Sequence, residues 1–488
     1  MKKDSIREEI LLNVTSTEVR AAYLKNNLLQ DLYIERSESP GLINSIYKGK
    51  VARILPGIQA AFIDIGMERT AFLHASDIIF NVNCKSLDIK QLLHEGEDIM
   101  VQVLKDPLDN KGARVTTNIS IPSRYLVLLP NSTSIGISNQ ITEKDEIDHL
   151  RNVVDDLLKA NVSEYGVIIR TLAKKAKIED IEADFLNVMN MWKEIKQQYD
   201  LAKPKKPIYK DLPLSLRVLR DLTSENLDRI LVDSSKTFNL MLDFSNKYIT
   251  NNRFKLEHYI GKQSLYDLYD LEDEIKKSIN RRISLKSGGY IIFDQTEAMT
   301  TIDVNTGSYV GINKPEETIY QTNLEASVAI ARQLRLRNIG GIIIIDFIDM
   351  NNKVHRNNIL KSFEDALSSD PAHHCVMSIS SLGLVEMTRK RTRDSLLKIL
   401  VEDCTSCNGL GFVMSAETVY FEIYREIIRK TKDMYFNKIM VHAHQNVVAL
   451  SLNEKATSLR ELEKKIGCSI CVKTESLFFH DQFEIILI

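Results

Sequence analysis

No segment of this chain is apolar for long enough to cross a bilayer as a helix. The longest hydrophobic run centres on Ile342 to Ile345, far short of the ~20 residues a helical span requires. The N-terminal MKKDSIREE has no apolar core, so a secretory leader is not expected. Cysteine is scarce, with six in 488 residues; that excludes a disulfide framework and points to a reduced, cytoplasmic protein. A dominant charge is missing too, since 64 basic residues face 66 acidic ones. Any polyanionic partner must therefore be held by local patches. Internal repeats and low-complexity tails are also lacking. What is present is a 44% hydrophobic composition, ample for packed cores, on a length suited to about three domains.

The first thirty residues, EEILLNVTSTEVRAAYLKNNLLQDLYIER, alternate like two strands joined by a turn at Lys25-Asn26-Asn27. From Tyr47 to about Thr117, glycine-punctuated short strands predict a small barrel. Helical patterns follow in RNVVDDLLKANV and EADFLNVMNMWKEIKQQYD, with a strand, YGVIIR, between them. The Pro/Lys-rich stretch 202–213 reads as a linker. Leu271, Ile275 and Ile279 have helical spacing, in a helix expected to stop at Gly288-Gly289. A second helix, ETIYQTNLEASVAIARQLRLRN, is stopped by Gly340-Gly341, and GIIIIDFIDM has the continuous apolar pattern of a buried strand. Residues 290–350 thus give strand, strand, helix, strand, the ingredients of an α/β sheet. A small mixed α/β module follows from about 415.

Within that region, MTTIDVNTGS carries Asp303 and Asn305 two residues apart. On a strand, residues so spaced share a face. Asp346 ends the IIII run, at the carboxyl edge where ligand crevices of α/β sheets lie. The interval between the aspartates accommodates a helical crossover between neighbouring strands. Two carboxylates and an amide oxygen suit Mg²⁺, which acidifies a coordinated water and offsets charge developing on a phosphodiester. The competing explanation is turn chemistry, because Asp-x-Asn before Thr-Gly also bonds its own backbone.

Elsewhere, Tyr47, Phe62 and Phe72 stand among Lys48, Lys50, Arg53 and Arg69, with Lys105 and Lys111 farther on. Small barrels bind single strands by stacking bases on such aromatics over a positive groove. Phe62 and Asp64 fall opposite the apolar Ala61, Ile63 and Ile65, so Phe62 is expected outside; Tyr47 and Phe72 fit a core equally well. Arg170-Thr171 lead into a turn with Lys174, Lys175 and Lys177, a set suited to a terminal phosphate, although a solvated basic turn explains it as well. The run Thr388-Arg-Lys-Arg-Thr-Arg393 has the same two readings, a nucleic-acid backbone track or solvated charge. Cys404 and Cys407 form a CxxC knuckle that fills half of a tetrahedral Zn²⁺ site. Cys468 and Cys471 would complete it within the chain, or the same pair of a second subunit would. Odd spacing on a strand puts Cys468 and Cys471 on opposite faces and favours the shared site; two unmetallated thiols are the third reading.

Taken together, IYKGKVARILPGIQAAFIDIG, AFLHASDI, TTIDVNTG, TNLEASVAIARQLRLRNIGGIIIIDFIDM, LGLVEMTRKRTRDSL and CTSCNGLGF resemble the ribonuclease E/G family over essentially the whole chain. The resemblance implies an α/β multidomain fold. An RNase H-like domain would be made from residues 1–38 and 215–280. An S1 barrel (an OB-fold) would occupy 39–118, and a 5′-phosphate sensor 119–214. A DNase I-like catalytic subdomain would span 281–400, a zinc link 401–415 and a small dimerisation domain 416–488. It further implies Asp303 and Asp346 as Mg²⁺ ligands assisted by Asn305, and Phe62, Phe72 and Lys111 as the RNA grip. Arg170 and Thr171 would contact the 5′ phosphate with Val127 beneath the terminal base, and Cys404 and Cys407 would hold Zn²⁺ shared between subunits. Thr405 stands where the family usually has proline. The long tail of the ribonuclease E branch is lacking.

The expectation is a Mg²⁺-dependent endoribonuclease. It would cut single-stranded RNA, precursor ribosomal RNA and messenger RNA, leaving 5′-phosphate and 3′-hydroxyl ends and preferring 5′-monophosphorylated substrates. Two rivals remain: a noncatalytic S1-type RNA-binding protein, which has no need of the acidic set, and an assembly protein organised by zinc.

Overall fold

A computed structural model describes residues 7–38, 41–79, 88–107, 111–161, 164–174, 176–223, 226–249, 254–307, 315–407, 409–431 and 437–488. Lys175, Ser308 and Asn408, which belong to motifs above, lie outside them. The chain divides into two compact units, Met1–Leu396 and Leu397–Ile488.

The larger unit opens with an antiparallel meander, β1 (Glu8–Val14), β2 (Glu18–Lys25) and β3 (Leu28–Arg36). Three strands stand here where two were expected. The extra turn, Thr15–Thr17, has neither Gly nor Pro; the Thr15 hydroxyl shapes it by accepting from Glu18 N at 2.9 Å, the weaker ST-turn device. The turn at Asn26-Asn27 is as expected, with φ of 51° and 61°, the left-handed pair a tight hairpin needs.

β4 (Ile46–Leu55), β5 (Ala60–Asp64), β6 (Ala71–His74), β7 (Asp98–Lys105) and β8 (Arg114–Thr116) close a five-stranded barrel in the order β4-β5-β6-β8-β7, with β4 pairing back to β7. One helical turn, α1 (Ile89–Leu92), sits in this segment. The interior is Val51, Ala61, Ile63, Leu73, Val101 and Val115. Tyr47, 4% exposed, belongs to this core and is unavailable for stacking.

Next, β9 (Ile121–Pro122), β10 (Leu126–Leu129), β11 (Ile135–Ile137) and β12 (Gly166–Ile169) form a four-stranded sheet in the order β11-β12-β10-β9. It shares a core with α2 (Lys144–Ala160) and α3 (Ile178–Leu201). The expected linker 202–213 is not free: it contains β13 (Lys206–Tyr209), an added strand beside β4. The chain then passes through α4 (Leu214–Arg217) and a π-type turn, Val218–Leu222. β14 (Leu227–Val232), α5 (Ser235–Tyr248) and β15 (Lys255–His258) follow. β14 and β15 join the first meander as parallel strands, order β15-β14-β1-β2-β3. One sheet is therefore built from two distant chain segments.

After α6 (Leu265–Leu268) and α7 (Leu271–Ile279), the chain enters β16 (Arg282–Ser284). α7 ends well before Gly288, whose positive φ instead serves the turn from β16 into β17 (Tyr290–Gln295). β18 (Met299–Asn305), α8 (Pro315–Leu336), β19 (Gly341–Asp346), α9 (Lys353–Leu367), β20 (His374–Val376) and β21 (Val385–Arg389) complete a six-stranded sheet, order β16-β17-β18-β19-β21-β20. The β18–β19 pair is parallel, and α8 makes the crossover. β19 is not buried on both sides. Ile343 and Ile345 are 0% exposed while Ile342 is 50% exposed, because α8 and α9 supply the core on one face only. α10 (Leu396–Leu400) spans the unit boundary.

The second unit packs α11 (Ala416–Lys430), α12 (Gln445–Leu452) and α13 (Ala456–Ile466) with a three-stranded sheet of β22 (Lys438–Ala443), β23 (Ser469–Thr474) and β24 (Phe483–Leu487), the small α/β module expected. No helix among the described residues is long and apolar enough to cross a membrane.

Candidate active site

Asp303 and Asn305 lie on the open face of β18, with Ile302 and Val304 turned into the core. Asp346 stands opposite Asp303 in the parallel ladder. Asn305 Nδ2 donates to Asp303 Oδ2 at 2.7 Å and steadies that carboxylate. Partial burial raises the Asp346 pKa above the ordinary carboxylate value, and the charges of Asp303 and Asp349 raise it further. Like charges so arranged favour a proton or a cation between them. Gly307 lets the strand end turn tightly: a Cβ there would meet Gly288 O at 2.5 Å, and its φ is +58°. Beyond β19 the loop is clamped by Asn323, fully buried on α8, which donates from Nδ2 to Ile348 O at 2.8 Å and accepts from Ile348 N at 3.0 Å. Sequence reading missed Asn323; an amide inside an otherwise apolar helical stripe was its only signal.

The described residues contain no group of three or more His, Cys, Asp or Glu gathered to hold a metal. Two carboxylates on an exposed ledge still fit Mg²⁺, which keeps several waters and shares substrate phosphate oxygens.

Arg170 follows β12 and caps the short 3₁₀ turn Thr171–Ala173. Its backbone N–H donates to Tyr125 O at 2.8 Å, continuing the ladder beyond Ile169. Strand parity puts Arg170 on the face of Ile168, whose cross-strand partner is Val127. The three predicted residues therefore cluster, with exposed Thr171 bonded to Ser138 Oγ at 2.8 Å and Gln140 Oε1 at 3.1 Å. Lys174 is tied to Glu143 at 3.0 Å.

On the barrel, Phe62 and Phe72 are cross-strand partners on the outer face, ring centroids 6.2 Å apart and edge to face. The register continues to Arg53 on one side and Arg114 on the other, giving a row of cation, aromatic, aromatic, cation across four strands. Arg114 was not foreseen; it is paired with Asp77 at 2.7 Å. Exposed Lys111 precedes Gly112, which runs so close to the start of β6 that a Cβ would meet Thr70 O at 1.9 Å. This places Lys111 beside the strand bearing Phe72.

The basic run 388–393 is largely structural. Arg389 is buried in a two-pronged pair with Asp370 at 2.7 and 3.0 Å. Arg393 lies 3.9 Å from the Tyr33 ring centroid and bonds Leu32 O at 2.6 Å. Alternation along β21 turns Arg389 inward, and the partners of both arginines are remote in sequence. Lys390 and Arg391 remain exposed.

In the second unit, Cys407 N donates to Cys404 O at 3.3 Å and Gly411 N donates to Cys407 Sγ at 3.3 Å. Amides of Cys407 and Ser406 hold the Cys404 thiol below its usual pKa. Amides aimed at sulfur favour thiolate and fit a zinc knuckle. Cys468 packs against the core of the unit, whereas Cys471 sits on β23 opposite Met440. No four-cysteine group forms among the described residues.

A sequence profile of the Ribonuclease E/G family matches residues 120–392, and one for the RNase E/G thioredoxin-like domain matches 403–487. The chain is 45% identical to Ribonuclease G of Escherichia coli K12, over 98% of this chain and 99% of that protein. It is 42% identical to Ribonuclease G of Haemophilus influenzae with the same coverage. Against Ribonuclease E of Buchnera aphidicola subsp. Schizaphis graminum, identity is 34% over 94% of this chain and 48% of the relative.

Proposed function

This chain belongs to the Ribonuclease E/G family, and from that premise we propose that it is an endoribonuclease of RNA processing and decay that works in the cytoplasm on precursor ribosomal RNA and messenger RNA. The observation that carries the catalytic reading is the ledge on which Asp303 and Asp346 face each other, steadied by Asn305. A noncatalytic S1-type binder has no use for two adjacent, mutually repelling carboxylates.

Asp303 and Asp346 would hold Mg²⁺, with Asn305 assisting. When bound, that ion supplies neutralising charge at the scissile phosphate and acidifies water. The protein's own work is to bind and orient. Phe62 and Phe72 stack bases, while Lys111 and the flanking arginines draw the backbone. Arg170 and Thr171 receive a 5′ monophosphate, with Val127 beneath the terminal base. The products carry 5′-phosphate and 3′-hydroxyl ends. The sheet assembled from the two segments 1–38 and 215–280 supports one RNase H-like domain interrupted by the S1 barrel (39–118) and the sensor (119–214). A DNase I-like catalytic subdomain would cover 281–400. Residues 401–415 would link two protomers through Zn²⁺ held by Cys404 and Cys407 of each, with 416–488 as the dimerisation domain.

A short labelled RNA tests the reading. Cleavage is expected with Mg²⁺, not with EDTA. Asp303→Asn is expected to bind the RNA but not cut it. Full cleavage by that variant would overturn the catalytic assignment.

A further inference from the structure

Arg170 is held from behind. Its Nη1 donates to Ser123 O at 2.5 Å and to Asp221 Oδ1 at 2.8 Å. Both Nη1 protons are thereby used, and Nε with Nη2 remains as the other edge of the fork. That edge carries the two parallel N–H groups that grip a phosphate bidentately. Thr171, bearing the hydroxyl assigned to the same phosphate, is the next residue.

The anchors are themselves fixed. Ser123 lies in a turn tied down by the buried Asp184 carboxylate, which accepts from Tyr125 N at 2.9 Å and Leu126 N at 3.1 Å. Asp221 is gripped by Arg220, Nη2 to Oδ2 at 2.9 Å, and Arg220 in turn grips Asp211, Nη1 to Oδ1 at 2.7 Å. Asp211 accepts from Asn44 Nδ2 at 3.0 Å. Arg220 and Asp221 are neighbours within the π-type turn Val218–Leu222, a distortion often kept where function needs it. Burial disfavours the Arg220 charge, yet Asp211 and Asp221 raise its pKa well above normal; the guanidinium is a permanent fixture.

We propose that Asp221, locked by Arg220 and Asp211, is a positioning residue that holds Arg170 by one edge so that its other edge meets the 5′ monophosphate. This rests on the reading that Arg170 contacts that phosphate. A long side chain fixed in advance gives up its rotamer freedom before the ligand arrives, so affinity is not lost to ordering it. Asp221 itself never touches RNA.

The test compares kcat/KM for one short RNA carrying either a 5′ monophosphate or a 5′ hydroxyl, in the full chain. Asp221→Ala is expected to lower the monophosphate preference roughly tenfold or more, the scale of a small misplacement of a binding group, and to do so mainly through KM. Asp221→Asn keeps an oxygen acceptor for Nη1 and is expected to retain most of the preference. Arg170→Ala sets the floor. If Arg170→Ala erases the preference while Asp221→Ala keeps it, the positioning role is overturned and the sensor reading stands. If Arg170→Ala itself keeps the preference, the sensor reading fails first. Equal losses on both substrates in Asp221→Ala, with a lowered melting temperature, also overturn the proposal, since a purely structural lesion leaves the ratio unchanged.

Discussion

Asp303 and Asp346 occupy the same rung of a parallel ladder, two acids side by side on an open sheet face. Groups that act on one cation act as a unit, so their losses do not add. Asp303→Asn and Asp346→Asn are each expected to lower single-turnover cleavage at least ~100-fold, the rate equivalent of several kcal/mol. The double variant is expected to be no slower than the worse single one. Multiplicative losses in a single-turnover assay would assign the residues independent roles.

Phe62 and Phe72 touch each other, so each also orders its neighbour. Replacing either with Ala is expected to weaken single-strand binding by ~1–3 kcal/mol, the value of a base stack. The pair should cost less than the sum of the two. Binding isotherms of the four proteins in the cycle check this.

Arg389 and Lys390 are adjacent and opposite in role. Arg389→Ala strands Asp370 in the core and is expected to destabilise the larger unit by ~3–5 kcal/mol. Lys390→Ala is expected to leave melting unchanged and, where it meets phosphate, to flatten the salt dependence of RNA binding by about one unit of slope. Denaturation and salt titration separate the two.

The acid dependence of stability is expected to reside partly in Asp211. Burial works against its charge, yet the bonds from Arg220 lower its pKa below the ordinary value. A depressed carboxyl stabilises the fold above its unfolded pKa and loses that contribution as pH falls through the folded one. Asp211→Asn should therefore cost about 2–3 kcal/mol near pH 7, somewhat under the usual loss for a broken buried pair because Arg220 keeps Asp221. The difference from wild type should shrink below about pH 4. Denaturant midpoints measured across that range decide it.

Cys404 and Cys407 offer two ligands where structural zinc takes four. Cys404→Ser is expected to halve the mass seen in solution and to release zinc, as is a chelator. A dimer that survives chelation would argue against a shared metal.

The acidic site was legible because strand parity is a two-residue rule: Asp303 and Asn305 had to share a face, and the end of the IIII run had to lie at a carboxyl edge. Phe62 was legible for the same reason. What stayed hidden depends on partners that spacing does not name. Arg389 read as a backbone track or solvated charge until Asp370 stood beside it, and Asn323 drew no notice within its helical pattern; only the fold brings Ile348 to both its polar atoms. Asp221 carried no pattern at all; only the fold brings it behind Arg170. The Thr15 turn was missed because a hydroxyl did what glycine usually signals, and the exposure of Ile342 because an apolar run does not say how many faces are covered.

The strand Lys206–Tyr209 has a practical corollary. It zips the exit of helix α3 onto β4, with Lys205 N bonded to Lys48 O at 2.6 Å, so the closed sheet of the barrel borrows a stave from beyond its own sequence limits. A fragment cut at 39–118 would leave that flank bare, with peptide groups ready to recruit any extended chain nearby. One that carries 203–210 along, by fusion or as an added peptide, would be sealed.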